Sequence, residues 1–279
     1  MKTVSILWLT AILLASCSGN RETVGSADAD EPFVVNIDSV GISVVVKADL
    51  PNPSDSLVTE VLARFVCDGM IFDTDDEGSP LRQPPVFQGD FKAFVNVCAQ
   101  MKWHELFSAT FDQYPTRKEL EAHPENDGIS QEEAVATAAE MAKTDSIHLS
   151  TATFSFRRVY DDDSLVSWEN ELDIYIHNNA RPAMATTGIT LYKDNGRVAG
   201  RELLGDTTSI AFRRQLEEGM RRWSMETLGE AMDVTPLPLP MRSPYLRGDS
   251  IALTYDEGEL MCGFHNTILI TIPRVNGRK

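Results

Sequence analysis

The sequence predicts an α+β fold, a largely antiparallel sheet with helices packed on one face. Three patterns predict it. An apolar run of period two stands near the start of the folded part, several stretches of helical spacing follow, and the last hundred or so residues alternate apolar and polar with one late helix among them. Four segments follow from these patterns: residues 1–16, residues 17–31, a strand–helix half at 32–145 and a β-rich half at 146–279.

The chain begins MKTVSILWLTAILLASC, in which Lys2 precedes an apolar run from Val4 to Ala15. That run is too short to span a bilayer and reads as a secretory signal. It ends Leu14-Ala15-Ser16-Cys17, which resembles the lipobox of bacterial lipoproteins. The resemblance implies that Cys17 becomes the lipidated first residue of an exported protein, anchored to a bacterial membrane at the outer membrane or cell surface. Residues 18–31, SGNRETVGSADADE, are small, polar and acidic and read as a disordered tether.

In the first half, FVVNIDSVGISVVVKADL has Val40, Ile42, Val44 and Val46 in alternation and reads as one strand. In SDSLVTEVLARFV, residues Leu57, Val58, Val61, Leu62 and Phe65 have helical spacing, with Ser54 as N-cap. DTDDEGSPLRQPP reads as a loop; Asp73, Asp75, Glu77 and Gly78 resemble a calcium loop, but Pro84 stands where its closing Glu is required. A helix capped by Asp90 follows, with Phe91, Phe94, Val95, Cys98, Met101 and Leu106 on one face and His104 and Glu105 pointing away from it. Ser130 and Glu133 form a capping box that opens ISQEEAVATAAEMAK as a helix.

In the second half, SIHLSTATFSFRRVY and SLVSWENELDIYIH read as strands joined by a turn at Asp161-Asp162-Asp163, where a calcium site is the second reading. Trp168, Leu172, Ile174 and Ile176 alternate with Glu169, Glu171, Asp173 and Tyr175, which predicts one buried face. MATTGITLY is a further strand, and Asn195-Gly196 a hairpin signal. TTSIAFRRQLEEGMRRW reads as a helix with Phe212, Leu216, Met220 and Trp223 inward and arginine–glutamate i,i+4 pairs outward. TPLPLPMRSP is a polyproline-like connector, and SIALTY and TILITIP close the chain, with Ile268, Ile270 and Ile272 facing the core.

The formal net charge of -17 argues against nucleic acid and against anionic lipid head groups, while permitting a basic protein partner. If Cys17 carries lipid, Cys67, Cys98 and Cys262 remain, an odd number. Cys67 and Cys98 fall on apolar helix faces and read as small buried hydrophobes, with a disulfide as the second reading.

The region from about Ser146 to Arg274 resembles a DUF3298-like extracytoplasmic domain, the one shared by the lysozyme-sensing anti-sigma factor RsiV and the N-terminal part of the peptidoglycan deacetylase PdaC. The residues that carry the resemblance are ENELDIYIHNNARP, TTGITLYKDNGRVAGRELLGD with the helix after it, and GELMCGFHNTILITIP. In that family Gly-Gly-Ala-His-Gly stands where this chain has Asn178-Asn179-Ala180-Arg181-Pro182, and Tyr-Glu-Ile-Ala where it has Gly258-Glu259-Leu260-Met261. The resemblance therefore implies binding through Asn178, Asn179, Ala180, Arg181 and Glu259, although only Ala180 and Glu259 match the family's residues.

Asp256, Glu259, Cys262 and His265 stand three residues apart and all bear metal-binding groups. Steps of three turn about 300° on a helix, so four such side chains fan over half its circumference, and on a strand they alternate faces. The mixed set matches no common zinc pattern, so the stretch reads as the joint between the last two strands, with no metal and no cofactor expected. The chain has no nucleophile elbow, no His-Glu-x-x-His, no phosphate loop and no dinucleotide fingerprint. The expectation is an envelope lipoprotein with a non-catalytic binding module, whose partner is another envelope protein, such as a muramidase-like protein, or a cell-wall fragment. A carboxylate-dependent hydrolase of envelope glycans is the alternative.

Overall fold

The computed structural model describes residues 31–53, 55–70, 83–124, 126, 128–145, 148–177, 182–232, 236–260 and 266–274. Cys17, Ser54, Asp73, Asp75, Glu77, Gly78, Asn178, Asn179, Ala180, Arg181, Cys262 and His265 lie outside these residues.

The fold is α+β, with strands divided between two sheets. The elements run β1 (Phe33–Ser39), β2 (Ile42–Ala48), α1 (Ser56–Met70), α2 (Phe91–Phe111), α3 (Arg117–Ala122), α4 (Gln131–Asp145), β3 (Ser150–Asp161), β4 (Leu165–Tyr175), β5 (Ala183–Tyr192), a 3-10 turn at Arg201–Leu204, α5 (Ile210–Leu228), β6 (Tyr245–Arg247), β7 (Ser250–Tyr255) and β8 (Ile268–Pro273). The larger sheet has the order β1-β2-β3-β4-β5 and the smaller β6-β7-β8. All pairs are antiparallel except β2 with β3, whose parallel register, Ile42 opposite Ser150, the helices α1 to α4 cross over to make.

The first strand expected from the sequence is a hairpin of two. Ser39 pairs with Ile42, and the two-residue turn between them places Val40 at φ 48° and Gly41 at φ 77°. Positive φ at both central residues matches the twist of the flanking strands, and Asn-Gly is its usual sequence. A β-branched residue rarely adopts that region, so Val-Gly in an alternating run carries no turn signal. Val40 is held there because it packs against the large core.

That core lies on one face of the larger sheet, where Val44, Val46, Phe154, Phe156, Trp168, Leu172 and Ile174 meet Val58, Leu62 and Val66 of α1 and Phe94, Val95 and Cys98 of α2. Asp90 caps α2 by accepting a hydrogen bond from the Ala93 N–H at 3.0 Å, as expected. Phe91, Phe94, Val95, Cys98 and Leu106 are buried as expected, whereas Met101 is only half-buried and Lys102 is buried beside it, held 2.7 Å from Glu105. Ser130 and Glu133 form the expected capping box at α4, and Thr116 with Glu119 forms another at the unanticipated α3.

A second core joins α5 to the smaller sheet through Phe212, Leu216 and Met220 against Leu253, Tyr255, Ile268, Ile270 and Ile272. Trp223, expected inward, is half-buried. Arg213, expected to pair along the helix, donates to the Leu237 carbonyl at 3.1 Å and ties the proline-rich connector to α5. Among the described residues no helix is long and apolar enough to cross a membrane.

The alternating isoleucines of β8 give a direct test of the second core. Ile270→Ala is expected to cost about 2–5 kcal/mol by chemical denaturation, the penalty for truncating a buried isoleucine. A loss below about 1 kcal/mol would mean that the strand is not packed as described.

Candidate functional site

The face of the larger sheet turned away from α1 and α2 carries the polar residues of β3, β4 and β5 in three cross-strand rows. The registers place Arg157, Glu169 and Gly188 in the first row, Ser155, Glu171 and Thr186 in the second, and Thr153, Asp173 and Met184 in the third. Successive rows stand about 7 Å apart along the strands, and cross-strand neighbours about 5 Å apart.

The first row is closed over Glu169. Alternation predicts Glu169 on an open polar face, yet its side chain is 0% exposed. Residues Tyr245 and Arg247 of β6 cover it. The Tyr245 hydroxyl donates to Oε2 at 2.7 Å, Arg247 Nε lies 3.1 Å from the same oxygen, and Arg157 donates to Oε1 at 3.1 Å. Burial, together with the Glu169 carboxylate beside it, pushes the Tyr245 hydroxyl far above the usual tyrosine range, so it remains a proton donor. Gly188 makes room for the ring, because a Cβ there would stand 2.5 Å from ring carbons of Tyr245. Beside this row, Thr190 accepts the Leu246 N–H at 2.8 Å and shares a 2.8 Å hydrogen bond with Ser167.

The second and third rows open into a cleft of about 430 Å³. Trp223 and Thr227 of α5 form one wall, and Asn266 and Thr267, just before β8, form part of another. Thr267 accepts the Thr186 N–H at 2.7 Å and Asn266 accepts the Met184 N–H at 3.3 Å. These side chains satisfy two amides on the outer edge of β5, where unpaired amides are open to any passing strand. Glu171 is ion-paired with Arg157, whereas Asp173 is exposed. The cleft therefore offers an indole, two carboxylates, hydroxyls and an amide, groups suited to a small polar ligand with an apolar face.

Of the residues singled out from the sequence, Glu259 lies in the turn after β7 and serves the fold. Its Oε1 accepts the Met241 N–H at 2.6 Å and its Oε2 accepts the Asp256 N–H at 2.9 Å. Asp256 in turn lies 2.5 Å from Arg242 Nε. Two of the four spaced metal-binding groups are thus engaged within the protein, and residues 256–267 do connect β7 to β8. Asn178, Asn179, Ala180 and Arg181 belong to the connection between β4 and β5, whose last paired residues, Ile174 and Ala183, adjoin the third row of the cleft. In the three-aspartate turn, Asp162 accepts the N–H groups of Ser164 at 2.8 Å and Leu165 at 2.7 Å, and Asp161 pairs with Arg158 and Lys193. That is a side-chain-capped hairpin turn.

The rows themselves were missed in the sequence. Alternation in β3 and β4 marks a polar face, but nothing local says which part of it a second sheet covers. Gly188 within a strand was the available signal, since glycine there marks a close approach.

No family model matches the chain, and no curated protein does. Among the solved structures similar to it are two DUF3298 family proteins. One is a member of the DUF3298 family from Bacteroides fragilis, 14% identical, with a TM-score of 0.46 over 87% of this chain and 89% of that one. The other is a DUF3298 family protein from Pseudomonas aeruginosa, 11% identical, with a TM-score of 0.45 over 87% and 89%. Likeness of this order carries no argument about binding or activity, which rest on the residues of this chain.

Gly188→Ala is expected to destabilise the protein by about 1–3 kcal/mol through overpacking against Tyr245. In a Tyr245→Ala background the same change should cost much less, a non-additivity that a double-mutant cycle in denaturant will measure. Equal costs in both backgrounds would place the strain elsewhere.

Proposed function

We propose that this chain is an exported, lipid-anchored envelope protein whose folded part is a non-catalytic binding module, and that the cleft beside Trp223 receives a cell-wall glycan fragment. The observation that carries the reading is the cleft's donor set. A half-buried indole stands beside the rows of Ser155, Glu171 and Thr186 and of Thr153 and Asp173, with Asn266 at the rim. A pyranose has an apolar face that stacks on an aromatic ring and a rim of hydroxyls that bond carboxylates, amides and hydroxyls. Glu171 shares the Arg157 guanidinium and Asp173 faces solvent, which suits both to accepting hydrogen bonds. The lipobox-like Leu14-Ala15-Ser16-Cys17 and the polar tether support the anchored location.

Calorimetric titration with soluble peptidoglycan fragments tests the ligand. Binding is expected, and Trp223→Ala should weaken it about tenfold or more, the loss of one good aromatic contact. No binding of fragments, with a stable complex formed with lysozyme instead, would replace the glycan by a protein partner. Release of shorter sugars that stops in Asp173→Asn would establish the hydrolase alternative. The anchor has its own test: Cys17→Ala should abolish incorporation of labelled palmitate and free the protein from membranes. Equal labelling of the variant would sink the lipoprotein reading.

A further inference from the structure

The two open rows of the cleft floor continue past β3. The register of β2 sets Lys47 opposite Ser155 and Val45 opposite Thr153, and both Ser155 and Thr153 line the cleft. Val46 and Ala48, on either side of Lys47, are buried in the large core, so alternation turns Lys47 to the cleft's face of the sheet. Lys47 is exposed there, as Asp173 is.

The charges on this floor are unevenly matched. Glu171 stands in the same row as Lys47, two strands away, but is ion-paired with Arg157, which also serves Glu169. Among the described residues the side chains of Asp173 and Lys47 form no ion pair. Asp38, also on this face, stands two rows from Lys47 and 3.7 Å from His148. One unmatched negative group and one unmatched positive group thus flank the hydroxyls of Thr153 and Ser155. They are two strands and one row apart, about 12 Å between their backbones. A neutral sugar matches the indole and the hydroxyls but leaves both charges to water. A ligand that also carries an ammonium and a carboxylate complements the two ends, and only in one orientation.

We propose, resting on the glycan reading above, that the occupant is a cell-wall fragment that retains its short peptide. Its sugar stacks beside Trp223, a free amine of the peptide donates to Asp173, and a peptide carboxylate pairs with Lys47. The two charges fix the direction in which the ligand lies across the strands and distinguish a peptide-bearing fragment from bare glycan.

Calorimetric titration of the full chain at low salt tests this with two probes, a disaccharide carrying a lysine-ended tripeptide and the same disaccharide without peptide. The peptide-bearing probe is expected to bind about tenfold more tightly, with an advantage that shrinks as salt is added. Acetylating the lysine amine should weaken it about threefold to fivefold in the wild type, the worth of an exposed ion pair, and not at all in Asp173→Asn. Amidating the carboxylates should weaken it by a similar factor in the wild type and not at all in Lys47→Ala. The modified probes act on the wild-type protein, so they decide even if a variant fails to fold. Equal binding of the two unmodified probes, or modifications that weaken binding as much in the variants as in the wild type, overturns the proposal and leaves the glycan reading standing. Binding of neither probe overturns both.

Discussion

The buried carboxylate of Glu169 is the constraint on which the arrangement of the two sheets depends. A carboxylate taken out of water costs several kcal/mol unless its oxygens are matched. Here the matching groups come from two places: Arg157 from the neighbouring strand, and Tyr245 and Arg247 from β6 of the other sheet. The smaller sheet cannot slide along the larger without stranding that charge. Apolar packing alone tolerates small shifts of register, whereas a hydrogen-bonded ion confined to one site does not. Gly188 is the steric counterpart of this constraint, since a side chain there would occupy the space of the Tyr245 ring.

The same constraint creates the cleft. Strand β6 is only three residues long, so it covers one row of the polar face and leaves the next two uncovered. Helix α5 is held over the far side by its packing on β8, which brings Trp223 to the edge of those open rows. The site therefore rests mainly on regular elements, with Asn266 and Thr267 added from the connection before β8. Its floor consists of strands in fixed register and its wall is a helix seated on a second core, so its polar groups are preorganised by the fold.

Regions singled out by the sequence acquire different roles once the chain is folded. The four evenly spaced metal-binding groups read as a joint between strands, and two of them, Glu259 and Asp256, hold the turn after β7 and the proline-rich connector together. Cys67 and Cys98, which read as small core residues, are buried in the core that α1 and α2 share.

Hydrophobic period, caps and turns determined most of the elements from the sequence alone. The alternation of Ile268, Ile270 and Ile272, the helical spacing around Phe94 and Cys98, the Asp90 cap, the Ser130–Glu133 box and the aspartate-rich hairpin all rest on interactions within one element or one turn, which local sequence encodes. Tertiary structure decided the rest. The division into two sheets, the parallel pairing of β2 with β3, the burial of Glu169 and Lys102, and the turn at Val40 each depend on what a distant segment brings against the residue. Alternation says that a strand has two faces but not which is covered, and a valine accepts a strained φ only because a core assembled from elsewhere holds it there.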